Sequence, residues 1–219
     1  MKAIIQTGSG GVETLRLGEI DRPILQEGQL LVRVCAASVN RADIVQREGR
    51  YPAPPGASPI LGLDVAGWVE EVCGPSRFKV GDAVFGLVPG GAYAEFSVLD
   101  SALAIPKPAN LSWEEAASLP EVWMAAWFNL IEVGRLKEGE AVLIHAGASG
   151  VGVASIQLVR LWGGRSLVSV GSQQKMDFCQ DLGAEYVYLR QEYPYFSELV
   201  RHYGGVDLIL DPVGGAYLS

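Results

Sequence analysis

Hydrophobic residues in the second half of the chain change their spacing at a single glycine-rich turn. Positions 141–144 (AVLI) are continuously apolar and partly β-branched, which is typical of a buried parallel strand. Beyond the turn, apolar residues such as Val153, Ile156 and Val159 recur near helical spacing. The pattern predicts a strand, a tight turn and a helix of about three turns. Such a unit directs backbone N–H groups and a helix N-terminus towards one point, where a phosphate can bind.

The turn contains the candidate phosphate-binding residues. In chain order they are Gly147, Ser149, Gly150, Val151 and Gly152. Glycine has no Cβ, so the backbone can approach a pyrophosphate closely, and the serine adds a hydroxyl donor. Tight glycine turns also occur where two elements pack closely, and the sequence leaves that alternative open.

Residues 1–108 show a different pattern, in which short apolar runs alternate with glycine and proline breaks. The predicted strands are 1–6, 29–36, 63–73, 83–87 and 93–98. The second half adds predicted strands at 167–171, 186–188 and 206–210, with helices between them. A helix begins after Ser112, where Glu115 completes a capping box, and a second apolar helix covers about 122–133. These elements predict a mostly β half followed by an alternating α/β half.

Composition narrows the class of protein. Hydrophobic residues make up 49% of the chain and charged residues 19%, which indicates a well-buried globular core. The net charge of −8 argues against nucleic acid and anionic membrane surfaces as partners, so a phosphate site has to be local. No apolar run in the sequence is long enough to span a bilayer. Three cysteines without paired spacing fit reduced thiols and predict a cytoplasmic location.

Several motifs of the chain resemble those of one enzyme family. They are SVNRAD at 38–43, GRYP at 49–52, LGLDVAG at 61–67, VGDAV at 80–84 and HAGASGVG at 145–152. In combination they resemble the medium-chain dehydrogenase/reductase superfamily. Within it, the chain is most similar to the zinc-independent, ζ-crystallin-like quinone oxidoreductase branch and to its p53-inducible type. The resemblance extends along all 219 residues.

The resemblance implies an α/β protein with two domains. Residues 1–111 would form a mostly β, GroES-like catalytic domain, and residues 112–219 a Rossmann domain that binds NADPH. A complete Rossmann sheet has the strand order 3-2-1-4-5-6, whereas this chain ends after its fourth predicted strand. We therefore expect an incomplete Rossmann domain in a truncated isoform or fragment, with low stability and little activity on its own.

Other residues stand at the positions of the family's zinc ligands. Zinc-dependent members have Cys and His where this chain has Asn40 to Asp43, and a His-Glu pair where it has Leu63 and Asp64. Thiolate and imidazole are the ligands that catalytic zinc requires. The sequence therefore predicts no metal. Reduction would then proceed by direct hydride transfer, with hydrogen bonds stabilising the developing oxyanion.

Three polar residues are the candidates for the mouth of the substrate cleft, namely Asn40, Asp43 and Tyr51. By resemblance, Asn40 lies near the nicotinamide and Tyr51 lies over the substrate pocket. Each residue has an open alternative: Asn40 also suits a helix cap and Tyr51 a surface loop. Asp43 also suits a residue that only orients its neighbours.

The helix predicted at 122–133 departs from the family at one position. A family threonine that reaches the nicotinamide carboxamide is replaced here by Ala125. That contact is therefore missing or supplied by another group. The large aromatic residues of the same helix, Trp123, Trp127 and Phe128, are predicted to be ordinary core residues.

The end of the predicted strand 167–171 selects the cofactor. In dinucleotide-binding folds, an acid at this point holds the free ribose 2′-OH, whereas a cation accommodates a 2′-phosphate. The chain has Gly171, Ser172 and Lys175 there and no acid, which predicts NADPH rather than NADH. The open alternative is that Ser172 only caps the next helix and that Lys175 is solvated.

Arg190 and Asp211 complete the predicted cofactor site. Arg190 follows the third strand of the second half and either pairs with the 2′-phosphate or faces water. Asp211 follows the fourth strand, in a turn that resembles the corresponding turn of the family.

The resemblance implies NADPH-dependent reduction of a small-molecule quinone or related enone by an enzyme whose family forms homodimers. One alternative is the reduction of enoyl thioesters or alkenals on the same scaffold. Another is an inactive isoform or fragment that binds NADPH without turnover. Tests with quinones and with enoyl thioesters would separate the two enzymatic functions.

Overall fold

The computed structural model describes residues 1–191 and 196–214, and the chain divides into two compact units, 1–121 and 122–219. The strands are β1 (Lys2–Gln6), β2 (Leu15–Glu19), β3 (Gln29–Ala37), β4 (Asp64–Cys73), β5 (Ala83–Leu87), β6 (Phe96–Asp100), β7 (Ile105–Pro106), β8 (Ala141–Ile144), β9 (Arg165–Val170), β10 (Tyr186–Leu189) and β11 (Leu208–Leu210). The α-helices are α1 (Arg41–Arg47), α2 (Trp113–Ala117), α3 (Pro120–Trp127), α4 (Gly150–Leu161), α5 (Gln173–Asp181) and α6 (Phe196–His202).

The first unit is built on an antiparallel sheet of order β6-β3-β4-β5-β7, and β1 and β2 form a separate pair. Its core consists of aliphatic side chains from the central strands. The fully buried ones include Leu30, Val32, Val65, Val84 and Leu99. This unit is the mostly β, GroES-like half that the sequence predicted.

The division between the units lies after Glu121 rather than after residue 111. Helix α2 explains the difference, because Ala116 and Ala117 are buried in a cluster with Ala66 and Phe85 of the first sheet. The predicted capping box of this helix is confirmed: Ser112 Oγ accepts the Glu115 N–H at 3.1 Å, and the Glu115 carboxylate accepts the Ser112 N–H at 2.7 Å.

The second unit contains a parallel sheet of order β10-β9-β8-β11. In chain order this is 3-2-1-4, the arrangement of a Rossmann sheet. The four residues of β8 are all buried, two on each face: Val142 and Ile144 belong to one hydrophobic cluster, and Ala141 and Leu143 to another. Burial on both faces explains the continuous apolar run in the sequence. The predicted fold class, a GroES-like half and a partial Rossmann half, is confirmed.

Some predicted elements differ from the observed ones, and the strands β2 and β7 were not predicted. The strand predicted at 93–98 is β6, which begins at Phe96, because residues 93 and 95 are bends and Ala94 forms only an isolated bridge with Ala3. The helix predicted at 122–133 is α3 followed by a π-helical segment, Phe128–Val133. Pro120 begins α3, a position where its missing N–H costs no hydrogen bond.

The prediction that Trp127 and Phe128 are core residues is wrong. Their exposed fractions are 42% and 60%. The Trp127 indole N–H instead donates to Glu132 at 3.0 Å, and its ring packs edge-on against Trp162 with centroids 5.2 Å apart. Trp123 is partly buried and packs against the core of the second unit, as predicted.

Within the described ranges, no helix is both long and apolar enough to cross a membrane.

Candidate functional site

The glycine turn lies between β8 and α4, where the sequence placed it. Ser149 is the N-cap of α4, and its Oγ accepts the Gly152 N–H at 3.2 Å. The serine hydroxyl, predicted as a phosphate donor, therefore also serves the end of its own helix. Ala146 adopts a positive φ of 53°, so the backbone reverses direction at a residue that is not glycine.

The glycines of the turn have a packing role. A Cβ added to Gly152 would lie 2.5 Å from the carbonyl oxygen of Gly147 and 2.6 Å from that of Ala146. A Cβ added to Gly147 would overlap the side chain of Val168. The alternative that the sequence left open, close packing of helix and strand, accounts for both residues. Their contact with a pyrophosphate stays a prediction.

A cavity of about 210 Å³ opens beside the turn in the second unit. Four predicted cofactor residues line it: Ser149, Gly171, Lys175 and Arg190. Its remaining lining comes from Ala146, Ala148, Ser169, Val170 and Val213. The other predicted cofactor residues of this unit are outside the lining, namely Gly147, Gly150, Val151, Gly152, Ser172 and Asp211.

Both cations of the cavity are exposed side chains that reach it from different elements. Lys175 lies in the first turn of α5, which follows β9, and Arg190 follows β10. Ser172 caps α5, because its Oγ accepts the Lys175 N–H at 3.4 Å. Capping thus explains Ser172, whereas Lys175 and Arg190 place two positive charges where an anion can enter.

Asp211 organises the loop that follows β11. Its Oδ1 accepts the N–H groups of Val213 and Gly214, both at 2.9 Å. This turn holds the segment that brings Val213 to the cavity. The structure therefore gives Asp211 a loop-forming role, and its contact with a cofactor stays a prediction.

The sequence analysis missed a buried polar pair next to the cavity. His145 Nδ1 lies 3.0 Å from Ser169 Oγ, and each residue is only 2% exposed. Burial lowers the pKa of the His145 imidazole, while the charge of Asp211 acts in the opposite direction. The available signal was a polar residue at the carboxyl end of a parallel strand, which is where ligands bind in such sheets.

In the first unit, Asn40 and Asp43 meet at the start of α1. Asp43 accepts the Asn40 backbone N–H at 2.8 Å and the Tyr93 hydroxyl at 2.9 Å through the same oxygen, Oδ2. Asp43 is buried, with 2% exposure, and its place at the mouth of a substrate cleft stays a prediction. These two hydrogen bonds are compatible with the alternative that the sequence left open, a residue that orients its neighbours.

Asp64 is the centre of this polar network, and the sequence analysis did not select it. Its Oδ2 accepts hydrogen bonds from the Ser38 hydroxyl at 2.6 Å and from Asn40 Nδ2 at 2.8 Å, and its Oδ1 accepts the Glu121 N–H at 2.9 Å. Burial raises the pKa values of the Asp64 and Asp43 carboxyls, and the hydrogen bonds partly offset that effect. An aspartate inside the apolar run LGLDVAG was the signal for it.

Asn40 is the residue shared by both aspartates. Its Nδ2 donates to Ser38 Oγ at 2.9 Å as well as to Asp64, so both amide hydrogens are used within the first unit. Tyr51 is 51% exposed in a loop and does not join the network. The predicted contacts of Asn40 with nicotinamide and of Tyr51 with substrate stay predictions.

The chain is similar to known oxidoreductases and to parts of larger synthases. Residues 26–109 match the family described as the alcohol dehydrogenase GroES-like domain. A mycocerosic acid synthase-like polyketide synthase of Mycobacterium tuberculosis is 36% identical over 210 residues, which cover 94% of this chain and 10% of the synthase. The chain thus spans about a tenth of the length of this curated relative.

Solved structures match nearly the whole chain. A mycobacterial protein complexed with NADPH has 33% identity and a TM-score of 0.89, and the match covers 100% of this chain and 69% of that one. A quinone oxidoreductase from Coxiella burnetii has 31% identity and a TM-score of 0.88, with 99% and 70% covered. The CurK enoyl reductase has 27% identity and a TM-score of 0.89, with 99% and 68% covered.

A GroES-like half is followed by a Rossmann-type half with a glycine turn between β8 and α4. The chain belongs to the medium-chain dehydrogenase/reductase superfamily.

Proposed function

We propose that this chain supplies an NADPH-dependent reductase activity that transfers a hydride to quinones or related enones without a metal. The cavity of the second unit is the observation that carries the proposal. Lys175 and Arg190 line it, and neither β9 nor Gly171 after it supplies an acidic side chain. An acid there would bind the ribose 2′-OH of NADH but would repel a 2′-phosphate.

Electrostatics favours NADPH in such a cavity. A phosphate monoester carries about −1.5 to −2 charges near neutral pH, and charge-assisted hydrogen bonds to it contribute roughly 1.5–3 kcal/mol each. The Arg190 guanidinium can donate two parallel hydrogen bonds, whereas the Lys175 ammonium acts as a point charge. Bound NADPH supplies the hydride. The protein residues bind the nucleotide, orient it and limit its contact with water.

The first unit contributes a fixed polar loop. Asp43 accepts the backbone N–H of Asn40 and Asp64 accepts its side-chain amide, so two hydrogen bonds restrict the segment between β3 and α1. Preorganised groups lose little entropy when a ligand arrives, which favours both binding and catalysis. We propose that Tyr51, which is exposed beyond this segment, contacts the acceptor.

A second candidate function is the reduction of enoyl thioesters. The identity of 36% with a polyketide synthase and the structural similarity to the CurK enoyl reductase favour it. Both reactions deliver a hydride to a carbon conjugated with a carbonyl group, so one cofactor site serves either acceptor. The acceptor alone distinguishes the two functions.

The test measures cofactor binding first and turnover second. Calorimetric titration with NADPH and NADH should show tighter binding of NADPH. NADPH oxidation is then followed with a naphthoquinone and with a crotonyl thioester. Turnover of the quinone alone supports the leading proposal, and turnover of the thioester alone supports the second. Equal affinity for NADPH and NADH would contradict the cofactor assignment.

A further inference from the structure

Buried polar side chains form a row across the second sheet at its carboxyl edge. His145 follows β8 directly and contacts Ser169 of β9, and Ser169 pairs in register with Tyr188 of β10. Each of the three is 2% exposed. Two residues earlier in β8 and β9, the same face of the sheet carries Leu143 and Leu167. This face of the sheet therefore changes from apolar to polar over two residues of each strand.

Burying these groups has a cost that an apolar pair would avoid. A hydroxyl or imidazole loses its hydrogen bonds to water on burial, and an internal hydrogen bond only partly compensates. Ser169 differs from an ordinary buried serine because it also lines the cavity that contains Lys175 and Arg190. A buried hydroxyl in the wall of a positively charged cavity is suited to an anion.

We propose that Ser169 is a binding residue for a phosphate group of the nucleotide and that His145 is the positioning residue for its hydroxyl. The inference rests on the proposed function to the extent that the cavity takes a phosphorylated nucleotide. It adds two residues to the site and assigns a direction to the hydrogen bond between them.

The direction of that hydrogen bond depends on the tautomer of His145, and the proposal assigns the ring hydrogen to Nδ1. A serine hydroxyl has one hydrogen and two acceptor lone pairs. When Nδ1 of a neutral His145 carries the ring hydrogen, it donates to Ser169 Oγ at 3.0 Å. The Ser169 hydrogen is then free to donate to a phosphate oxygen. A ring hydrogen on Nε2 would instead draw the Ser169 hydrogen towards Nδ1 and leave no donor for the anion.

The surrounding charges are consistent with a neutral imidazole. Burial lowers the pKa of His145, and the Asp211 carboxylate is the charged group that acts in the opposite direction. Lys175 and Arg190, which also line the cavity, would supply the positive charge for the phosphate. Ser169 and His145 therefore contribute directed hydrogen bonding rather than charge.

The first experiment compares two serines of the same strand. Ser169→Ala should weaken NADPH binding at least tenfold, because a hydrogen bond to a phosphate is lost. Ser166→Ala is the matched control, since Ser166 is also buried in β9 but does not line the cavity. It should leave the affinity unchanged. Ser169→Thr, which keeps the hydroxyl, should bind within about threefold of wild type.

The second experiment tests the positioning role of His145. His145→Asn keeps an N–H donor near the position of Nδ1 and should retain most of the affinity. His145→Leu removes it and should weaken NADPH binding about as much as Ser169→Ala. The double variant Ser169→Ala, His145→Leu should be no weaker than either single variant, because the two residues act through one hydrogen bond. Melting temperatures are measured beside each affinity.

Measuring each variant with both NADPH and NADH separates this inference from the proposed function. Loss of affinity for NADPH alone assigns Ser169 to the 2′-phosphate, and equal loss for NADPH and NADH assigns it to the pyrophosphate. Tight NADPH binding by wild type with equal affinities of Ser169→Ala and Ser166→Ala would overturn the inference and leave the proposed function standing. Absence of NADPH binding by the wild type would overturn both. A melting temperature that falls without any change in affinity would reduce the pair to a structural role.

Discussion

The charged side chains of the two polar sites differ: the first unit buries a carboxylate, whereas the second places two cations beside a cavity. In the first unit, the Asp64 carboxylate is fully buried and accepts three hydrogen bonds from the protein itself. In the second unit, Lys175 and Arg190 are exposed and line a cavity of about 210 Å³. A carboxylate with internal donors fixes the shape of its surroundings, whereas cations beside a cavity can bind an anion from solution. The first arrangement restricts local movement, and we propose that the second binds the cofactor.

We therefore expect substitutions in the Asp64 network to lower the stability of the protein more than its affinity for NADPH. Substitutions of Lys175 or Arg190 should lower the affinity for NADPH more than the stability. The glycine turn is the exception to be tested first. It lies in the second unit, beside the cavity, but its glycines are tightly packed against backbone and side-chain atoms.

The largest expected effect is that of Gly152→Ala. The added Cβ would lie 2.5 Å from a backbone oxygen, which cannot move away as a flexible side chain can. We expect a loss of about 3 kcal/mol in the free energy of unfolding without any cofactor present. Urea denaturation measures it, with Gly171→Ala as control, because a Cβ there meets only the end of Arg190 at 3.9 Å. A stable variant that merely binds NADPH less well would show that this glycine serves the ligand.

The next effect is that of Lys175→Ala on cofactor affinity. Loss of one charge-assisted hydrogen bond to the 2′-phosphate should cost about 2 kcal/mol, or more than tenfold in Kd for NADPH. Affinity for NADH and the melting temperature should hardly change, because Lys175 is exposed. Lys137→Ala, an exposed lysine of the same unit outside the cavity lining, is the control. Equal losses for NADPH and NADH would place this lysine elsewhere on the cofactor.

A smaller loss is expected from Asp64→Asn in the first unit. The new amide can accept the Glu121 N–H, but its NH₂ group then faces the NH₂ group of Asn40. We expect a loss of about 1–2 kcal/mol of stability. In the double variant Asp64→Asn, Asn40→Asp, the amide at position 64 can donate to the carboxylate at position 40. The double variant should therefore recover part of the lost stability. Thermal denaturation of the two single variants and the double variant measures this coupling, and additive losses would contradict the network.

The smallest effect concerns the pH dependence of stability. Burial raises the pKa of Asp43, so the folded state holds this proton more tightly than the unfolded state does. The resulting contribution to stability is complete below about pH 4 and declines as the pH rises through the raised pKa. The stability of wild type relative to Asp43→Asn should therefore decrease as the pH rises from about 4. Asp21→Asn, at an exposed carboxylate, controls for the change in net charge, and a difference that grows with pH would contradict the assignment.

Local patterns in the sequence predicted most of the fold. The strands β5 and β8 begin and end where the apolar runs do, and α4 and α5 follow their serine caps. Lys175, which lines the cavity, was singled out because it lies within one helical turn of the end of β9, where we propose that the cofactor is selected. Each of these features can be recognised from about ten consecutive residues, and such segments keep their local conformational preferences in the folded protein.

The residues that the sequence analysis missed depend on contacts between distant segments. His145 and Ser169 are 24 positions apart and meet because β8 and β9 are neighbours in the sheet. Asp64 accepts hydrogen bonds from Ser38, which follows β3, and from Glu121 of α3. Phe128 was assigned to the core because it is large and apolar, yet the π-helical segment leaves it exposed. Periodicity predicts an element, but only the tertiary arrangement determines its neighbours.

The serine cap of α4 bears on how quickly a cofactor can bind. Ser149 Oγ already accepts the Gly152 N–H, so the first turn of the helix is wound before any nucleotide arrives. Slow exchange of the Gly152 amide hydrogen with solvent in the free protein would report this directly. If a phosphate binds at this turn, the turn already has its bound conformation, and no part of it has to become ordered on binding. The association rate should accordingly follow diffusion and charge, and it should fall as salt screens Lys175 and Arg190.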